Sequence, residues 1–308
     1  MGGRRATVTI MMSDLRGFTS LSEERDPERL MDLLNRYLQE MTAVIRKYGG
    51  MIDEFIGDAI LVVFGVPEGK PDDAARAVAC GLAMQKALMK LNNQIVEEGY
   101  PPLEMGIGIN TGTVIVGNIG SEMRLKYGIV GAPVNIASRI ESDSVGGQVL
   151  VGLSTYEQVR PLVTAEAART VMMKGVKAPI VYYPVTAIGP PYDVQFNTVA
   201  ADQKGVPLAL SFQCWVVEDK KVAEQAMAGE TVSVGRDFLA AEIEPPLAPL
   251  TNLKLMFGFC ADAHCFSDIY AKVISQETGP GRTIHQMRIT SIRKEDRDIL
   301  KQWMEQAK

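Results

Sequence analysis

Residues 48–65, YGGMIDEFIGDAILVVFG, constrain the fold of this chain more than any other segment. Two apolar runs, 51–56 and 59–64, flank Gly57-Asp58, a pair of residues typical of a hairpin turn. The segment therefore predicts a β-hairpin. It also carries more negative charge than a turn between two apolar strands needs, on three carboxylates: Asp53, Glu54 and Asp58.

Helical and strand-like patterns alternate along the first 190 or so residues, which predicts an α+β sandwich. Apolar residues at helical spacing follow Asp26-Pro27, an N-cap with proline at the first helical position, and stop at Gly49-Gly50. A second helical pattern covers 72–96. We also expect strands at 8–12, 103–109, 113–117 and 147–151, helices ending at Arg139 and spanning 154–159, and a hairpin of 169–174 and 179–186.

A change of composition predicts two domains in the 308 residues, in line with a prior of about 150 residues per domain. Gly189-Pro190-Pro191 has the composition of a linker. We therefore expect one domain at 1–188 and a second, β-rich domain at 189–308, which ends in an amphipathic helix at 295–306.

Composition and charge indicate an ordinary globular protein, with 46% apolar and 22% charged residues. The net charge of −5 provides no basic field for nucleic acid. The longest apolar runs fall far short of the roughly 20 residues of a membrane-spanning helix, and no signal peptide is recognisable, so we expect a cytoplasmic location without a membrane segment.

The cysteines show no paired framework and are expected to be reduced thiols: Cys80, Cys214, Cys260 and Cys265. His264 lies beside Cys265, but a fourth ligand and the usual spacing of a zinc site are missing. Buried thiols on a strand are therefore the favoured interpretation.

Asp14 and Asp58 each follow a strand-like run, where a carboxylate would stand at the rim of a sheet. Two such carboxylates could share hard cations such as Mg²⁺ and recruit a triphosphate. Taken singly, each aspartate is better explained as a turn cap. The segments around them favour the metal interpretation.

Four segments in the same order resemble class III nucleotide cyclases, the adenylate and guanylate cyclase family: SDLRGFTSLSE (13–23), FIGDAILVVFG (55–65), GIGINTGTVIVGNIGSE (106–122) and VGAPVNIASRIES (130–142). The resemblance runs from about residue 7 to 185, and GINTG and GNIGSE are most similar to the bacterial-type subgroup. It implies a ferredoxin-like α+β catalytic domain. Ala132-Pro133 and Thr113 depart from the usual pattern without removing a catalytic group.

The resemblance implies a role for each matching residue. Asp14 and Asp58 match the aspartates that bind two Mg²⁺ or Mn²⁺ ions per site, and the Leu15 carbonyl matches a further ligand. The other matches are Gly17, Phe18 and Thr19 in the phosphate-binding turn, Asn135 and Arg139 at the ribose and α-phosphate, and Lys174 at the triphosphate. Alone, Arg139 would be read as a solvated helix-end residue and Lys174 as a loop residue.

These residue types suit the reaction, in which the ribose 3′-hydroxyl attacks the α-phosphorus in line and pyrophosphate leaves. Little covalent work falls to the protein, which positions the two ends and neutralises growing charge. Asn135 and Arg139 are four residues apart, so on a helix they share one face.

Glu54 occupies the family's base-reading position, four residues before the second metal aspartate. Adenylate cyclases carry lysine there and guanylate cyclases glutamate, because a carboxylate accepts from both N1–H and the 2-amino group of guanine. Adenine would set its N1 lone pair against this charge, at a cost of about 1–3 kcal/mol or more. Glu54 therefore favours GTP, and we assign neighbouring Asp53 the role of an ordinary exposed strand residue.

Gly128 matches the second base-reading position, where adenylate cyclases usually carry an acceptor for the adenine amino group. Glycine removes that acceptor and leaves guanine O6 to a backbone N–H or water. The letters of GGMIDEF are similar to the GGDEF signature of diguanylate cyclases, but two inserted residues break its tight hairpin. We therefore expect a guanylate cyclase, with an adenylate cyclase or a non-catalytic nucleotide-binding scaffold as alternatives.

The family resemblance further implies a head-to-tail homodimer with composite sites, GTP as substrate, and control by an upstream sensor domain or a regulatory partner. The second domain weakly resembles PilZ domains, which are small β-barrels, but lacks their ligand-binding signature. We expect it to be a degenerate PilZ-like packing or partner-binding module. The alternative is a family-specific β extension with a role in dimerisation.

Overall fold

A computed structural model of the chain divides into two units, Met1–Thr198 and Val199–Lys308. The structure describes residues 3–18, 21, 26–121, 123–172, 179–196, 205–218, 221–235, 237–249, 251–258, 260–261, 264–265, 268–279 and 282–306. No helix within these ranges is both long enough and apolar enough to cross a lipid bilayer.

The first unit is an α+β fold, as expected, built on one twisted sheet. Its elements are β1 Arg4–Arg16, α1 Pro27–Lys47, β2 Met51–Ile56, β3 Ala59–Phe64, α2 Asp73–Glu97, β4 Glu104–Ser121, β5 Arg124–Val130, α3 Ala132–Asp143, β6 Val149–Gly152, α4 Leu153–Val159, β7 Val163–Ala165, β8 Arg169–Val171, β9 Ile180–Ile188 and β10 Val194–Gln195. The strand order is β10-β9-β6-β4-β1-β3-β2, β5 extends β4, and β7 and β8 pair with β9. The β4–β6 pair is parallel, and the other pairs described in this sheet are antiparallel.

Strand β1 lies inside the sheet, between β4 and β3, and is buried on both faces. Met11 packs in the cluster with the apolar faces of α1 and α2, and Ile10 packs in a smaller cluster that includes Ala137 of α3. Alternate residues of a strand point to opposite faces, which explains why an unbroken apolar run fits this position. Helix α1 begins as predicted, since the Asp26 carboxylate accepts from the backbone N–H of Glu28 at 3.0 Å and of Arg29 at 3.2 Å.

The prediction of two strands at 103–109 and 113–117 is wrong, because β4 is one strand of 18 residues. Its ladder with β1 runs without a break from Arg4↔Val116 to Arg16↔Glu104. The polar Asn110-Thr111 pair, between the two predicted strands, is buried within β4, where the Thr111 hydroxyl lies 2.8 Å from that of Thr9. Strand β5 was not predicted at all.

The first unit ends at Thr198 rather than at 188, the boundary expected from the sequence. Strand β10, beyond the Gly189-Pro190-Pro191 segment, pairs with β9 through Val194↔Ile188. Val194 is buried in the core of this unit. The segment thus turns the chain back onto the sheet.

The second unit contains a closed barrel of six antiparallel strands. Its elements are β11 Val206–Pro207, β12 Ser211–Glu218, β13 Lys221–Val222, β14 Met227–Val234, β15 Phe238–Ile243, β16 Asn252–Phe257, β17 Cys260–Ala261, β18 His264–Cys265, β19 Ile269–Gly279, β20 Arg282–Ser291 and α5 Lys294–Gln306. The order β14-β15-β20-β19-β16-β12 closes through a β12–β14 pair. Leu300 of α5 is buried in the barrel's apolar cluster. The expected β-barrel-like form is observed, while the likeness to PilZ domains stays a prediction.

Candidate active site

The structure brings Asp14 and Asp58 together at the rim of the sheet. Asp14 lies near the end of β1, and Asp58 lies in the tight turn between β2 and β3, where Gly57 takes φ +66°. Burial raises the pKa of Asp14 to about 7, with further contributions from the negative charges of Asp58 and Glu141 and a hydrogen bond with Asp58. Two crowded carboxylates of this kind fit a divalent cation, which would relieve their repulsion.

The turn after β1 is held by the protein core. Leu15 is buried and pairs with Met105 of β4, and Gly17 takes φ +70°, a conformation that favours glycine. Phe18 is also buried and belongs to the cluster beneath the sheet, so its side chain anchors the turn from below. The expected phosphate-binding residue Thr19 lies outside the described residues, as does Lys174.

Arg16 joins the strand that carries Asp14 to helix α3. One guanidinium nitrogen, Nη1, lies 3.5 Å from the Asp14 carboxylate. The other, Nη2, donates to the carboxylate and the carbonyl oxygen of Glu141 and to the Ser144 hydroxyl. Sequence reasoning missed Arg16 and Glu141, because nothing in their spacing shows that they meet across 125 residues.

Helix α3 carries Asn135 and Arg139 and lies directly on β4. A Cβ at Gly108 would come within 2.3 Å of the Glu141 nitrogen, so glycine is required for this close approach. Asn135 is exposed. Arg139 is partly buried, and its Nη1 atom is buried without a hydrogen-bond partner among the residues that the structure describes. An unpartnered guanidinium nitrogen at a sequence-predicted site is suited to an anionic ligand.

Glu54 and Gly128 lie in one cluster with Asp53 and Lys126, neither of which the sequence analysis assigned to the site. Strand β2 bulges between Ile52 and Glu54, which turns Asp53 inward. The assignment of Asp53 as an ordinary exposed residue is wrong, because its side chain is only 5% exposed. Its Oδ1 atom is buried, lies 2.9 Å from where a Cβ at Gly128 would stand, and has no hydrogen-bond partner within the described ranges.

Lys126 completes this cluster and was not identified from the sequence. Its Nζ lies 2.9 Å from Asp53 Oδ2 and 3.1 Å from Glu54 Oε2. Partial burial lowers the pKa of Lys126, but the hydrogen bonds with Asp53 and Glu54 outweigh it, so the pKa lies above its ordinary value. Lys126 is therefore a cation between two carboxylates.

Exposed apolar side chains stand on both faces of the β-ribbon beside this cluster. Ile115, Ile119 and Val130 share one face in the β4–β5 register, Leu125 and Tyr127 take the other, and Phe55 and Ile56 stand on β2. Apolar patches of this kind mark interaction sites in proteins.

Within the described part of the chain, no group of three or more His, Cys, Asp or Glu residues could hold a metal ion.

Residues 3–187 match the family model described as the adenylate and guanylate cyclase catalytic domain. An adenylate cyclase of Anabaena cylindrica is 37% identical over 192 residues, which cover 58% of this chain. The chain spans only 37% of the length of that relative.

Two solved structures are similar to the first unit. The guanylyl cyclase Cya2 is 53% identical with a TM-score of 0.63, covering 64% of this chain and all of that one. The adenylyl cyclase CyaB from P. aeruginosa is 42% identical with a TM-score of 0.59, covering 60% of this chain and 96% of that one. Proteins named for both activities are thus among its relatives.

Proposed function

The chain belongs to the adenylate and guanylate cyclase family, and from that premise we propose that it is a guanylate cyclase, which converts GTP to 3′,5′-cyclic GMP and pyrophosphate. The observation that carries this proposal is the Glu54 carboxylate, whose side chain is 53% exposed and whose neighbour in sequence, Asp53, lies against Gly128. It is accessible to a base, and the glycine offers no side-chain acceptor for an adenine amino group.

Guanine fits this carboxylate because its N1–H and 2-amino group both donate. Adenine would present its N1 lone pair instead. Where the bound base covers the carboxylate, leaving this charged acceptor against another acceptor costs about 1–3 kcal/mol or more, which corresponds to a preference of roughly fivefold to over a hundredfold. The identity to Cya2 supports the same choice.

The catalytic residues proposed for the reaction bind and orient the triphosphate. Asn135 would hold the ribose so that its 3′-hydroxyl lies in line with the α-phosphorus, and Arg139 would donate to the α-phosphate as charge grows there. The backbone of Gly17, Phe18 and Thr19, together with Lys174, would hold the β- and γ-phosphates. Two Mg²⁺ or Mn²⁺ ions, held by Asp14, Asp58 and the Leu15 carbonyl, would lower the pKa of the attacking hydroxyl.

We propose that two copies of the chain form each site. The exposed apolar surface next to Glu54 supports this, because contact with a second copy would remove it from water. In a two-fold dimer the metal aspartates of one chain would face Asn135 and Arg139 of the other, giving two equal sites. The unpartnered Nη1 of Arg139 agrees with a ligand-binding site that a second subunit completes.

Turnover of GTP and of ATP by the full chain with Mn²⁺ tests the proposal, with cyclic GMP and cyclic AMP quantified separately. We expect higher kcat/KM for GTP. A preference for ATP would make the chain an adenylate cyclase, as the name of CyaB allows. Absence of turnover with either, in protein that folds and binds Mn²⁺, would favour the non-catalytic scaffold.

Exchange of the base-reading pair supplies a second test. Glu54→Lys with Gly128→Asp should weaken the discrimination in favour of GTP, because lysine donates to adenine N1 and aspartate accepts from its amino group. Unchanged selectivity would show that these positions do not contact the base.

For the second unit we propose a packing or partner-binding role. The barrel is present, but the sequence lacks the arginine arm and the acidic motif with which many PilZ domains bind cyclic di-GMP. Calorimetry with cyclic di-GMP should show no binding. Micromolar affinity would contradict this role.

A further inference from the structure

A cavity lies between helices α1 and α2, on residues that neither the proposed reaction nor the proposed dimer uses. Its volume is about 440 Å³, within the range of roughly 300–1,000 Å³ that is typical of small-molecule sites. Helix α1 forms one wall, helix α2 forms the other, and Val194 of β10 adds a third side. The cavity belongs wholly to the first unit.

The floor of the cavity is apolar and is fixed by the protein core. Leu91 is 4% exposed and Val194 is 8% exposed. Val44, Ala83 and Ala87 are partly buried and pack on the same hydrophobic cluster. Because the floor consists of core residues, it is formed before a ligand arrives, which lowers the cost of binding.

The segment that carries Val194 is held by a hydrogen bond and an aromatic contact. The Tyr192 hydroxyl donates to the Asp72 carboxylate at 3.1 Å, and the centroid of its ring lies 6.5 Å from that of Tyr48. Val194 itself pairs with Ile188 of β9. Tyr48 also lines the cavity, so this side of it is ordered.

Three lysines line the cavity, but only one carboxylate does. Lys47 comes from α1, Lys86 and Lys90 come from α2, and the carboxylate is that of Glu40. All four residues are exposed. Among the residues that the structure describes, none of the three lysines has a carboxylate partner. The lining therefore carries an excess of positive charge.

Helix stability explains only one of these lysines. Lys47 stands in the last turn of α1, where a cation interacts favourably with the helix dipole. Lys86 and Lys90 stand in the middle of α2, four residues apart, where like charges are neighbours and repel each other. An anion bound between them would relieve this repulsion.

The shape of the cavity favours an extended ligand. The lining residues of α2 run from Ala83 to Gln94, a span of about 16 Å along a helix. A groove of this length with an apolar floor fits a hydrocarbon chain, and the lysines beside it favour an anionic head.

We propose that this cavity binds a free single-chain carboxylate amphiphile, a fatty acid, with its hydrocarbon chain along the apolar floor and its carboxylate at Lys86 and Lys90. The site is additional to the proposed cyclase site and shares no residue with it. The inference therefore does not depend on which nucleotide the chain converts.

The test titrates the full chain by calorimetry with dodecanoate below its micellar concentration. Two matched probes separate the contributions: dodecyltrimethylammonium keeps the chain and reverses the charge, and acetate keeps the carboxylate without the chain. Dodecanoate should bind saturably, one molecule per chain, and at least about tenfold more tightly than dodecyltrimethylammonium because only its head is attracted to the lysines. Acetate should show no binding.

Variants of the lining locate the site. Lys86→Met with Lys90→Met removes both charges and keeps apolar side chains, so it should weaken dodecanoate binding about fivefold or more without weakening that of dodecyltrimethylammonium. Ala87→Leu places a larger side chain in the cavity and should weaken the binding of both.

Lys70→Met with Lys301→Met is the control, because it removes two exposed lysines that do not line the cavity. The affinity for dodecanoate should be unchanged in this variant. Thermal unfolding of every variant checks that it is folded, and the lysine variants alone decide the test if Ala87→Leu does not fold.

Absence of dodecanoate binding, or equal affinity for the two head groups, would overturn the inference. Dodecanoate binding that survives the loss of both lysines unchanged would place the ligand elsewhere and overturn it as well. Vesicles of phosphatidylglycerol distinguish a membrane from a free ligand. If the chain bound such vesicles through Lys86 and Lys90 but did not bind dodecanoate, the surface would be a membrane contact and the inference would be wrong.

Discussion

Arg16 and Glu141 connect the two catalytic elements within one chain. Arg16 Nη2, near the end of β1, lies 2.8 Å from the carbonyl oxygen of Glu141 on α3 and also contacts its carboxylate. The strand carries Asp14 and the helix carries Arg139. In the proposed dimer these two residues serve different sites, so this contact links the geometry of one site to that of the other.

Replacement of this arginine should impair both stability and activity. Arg16→Met leaves the buried Glu141 carboxylate without its cation, which should cost about 3 kcal/mol of unfolding free energy. The shift of α3 should lower kcat/KM by about tenfold or more even where the protein is folded, because small displacements of positioned groups are costly. Calorimetry and GTP turnover at low temperature measure the two effects.

Arg76→Met is the control for this prediction. Arg76 is similarly buried, contacts Asp72 and Asp73 and the carbonyls of Tyr48 and Gly49, and lies on α2, which carries none of the proposed site residues. The Arg76→Met variant should have a lower free energy of unfolding but an unchanged kcat/KM for GTP. If both variants lost activity equally, Arg16 would have no special position in catalysis.

Metal binding at Asp14 and Asp58 should be detectable in thermal stability as well as in turnover. Without a divalent cation, Asp58→Asn should raise the melting temperature of the first unit, because it removes the charge that crowds Asp14. Addition of Mn²⁺ should stabilise the wild-type chain and not the variant, since only the wild type keeps both carboxylates. Asp26→Asn, at an N-cap on α1, serves as a control that retains the response to Mn²⁺. Equal stabilisation of wild type and Asp58→Asn would contradict the site.

Local sequence patterns predicted much of the fold, as particular elements show. The Asp26 cap and the helical spacing behind it predicted α1, and the Gly57-Asp58 turn predicted the β2–β3 hairpin. Such features depend on neighbours in sequence, so they can be read from it. Strand β5 was missed because the polar–apolar alternation of RLKYGIV stops at Gly128, and because the strand pairs only with the distal part of β4.

Proximity of the proposed site residues could be expected where a motif marks them, but not where the fold alone brings residues together. Asp14 and Asp58 were expected to meet, and they do. Asp53 was taken for a surface residue, because nothing in its sequence context shows that a bulge turns it beneath Gly128. Lys126 and Arg16 find their partners 72 or more residues away, which only tertiary structure can show.

The apolar surface beside the site should be the dimer interface. Ile115 is 43% and Val130 is 55% exposed, and they are paired on β4 and β5. Ile115→Asp with Val130→Asp would bury unpaired carboxylates and should raise the dimer dissociation constant about a hundredfold or more, with loss of turnover. Light scattering and turnover at matched concentration measure this.

Met89→Asp is the control, because Met89 is 46% exposed on α2, a helix that carries none of the proposed site residues. It should leave mass and turnover unchanged. A dimer that survives the double variant at Ile115 and Val130 would place the interface elsewhere.

Asp53 and Gly128 should be coupled in stability. Gly128→Ala places a Cβ 2.9 Å from Asp53 Oδ1, which should cost about 1–2 kcal/mol as the buried side chain shifts. With Asp53→Ala the space is open, and the same glycine change should cost less than about 0.5 kcal/mol. A double-mutant cycle on the unfolding of the first unit measures the coupling, and additive effects would show that the two residues do not compete for space.

The barrel should lose stability in mild acid through His285. This residue is fully buried on β20, and its Nε2 accepts from the Leu247 N–H at 2.9 Å, so the imidazole is neutral at that nitrogen. Burial lowers the pKa of His285. In the unfolded chain the histidine pKa is about 6.5, so the unfolded chain binds a proton that the folded barrel does not. The stabilisation is therefore complete above about pH 6.5 and is lost as the pH falls toward the folded pKa, by at most about 1.4 kcal/mol per pH unit.

Both tryptophans, Trp215 and Trp303, lie in the second unit, so their fluorescence reports its unfolding. His285→Gln keeps a hydrogen-bond acceptor but has no titrating group, so it should flatten the dependence of stability on pH. His264→Gln, at the other histidine of the chain, is the control and should keep that dependence. If His285→Gln showed the same slope as the wild type, the acid sensitivity would belong to other groups.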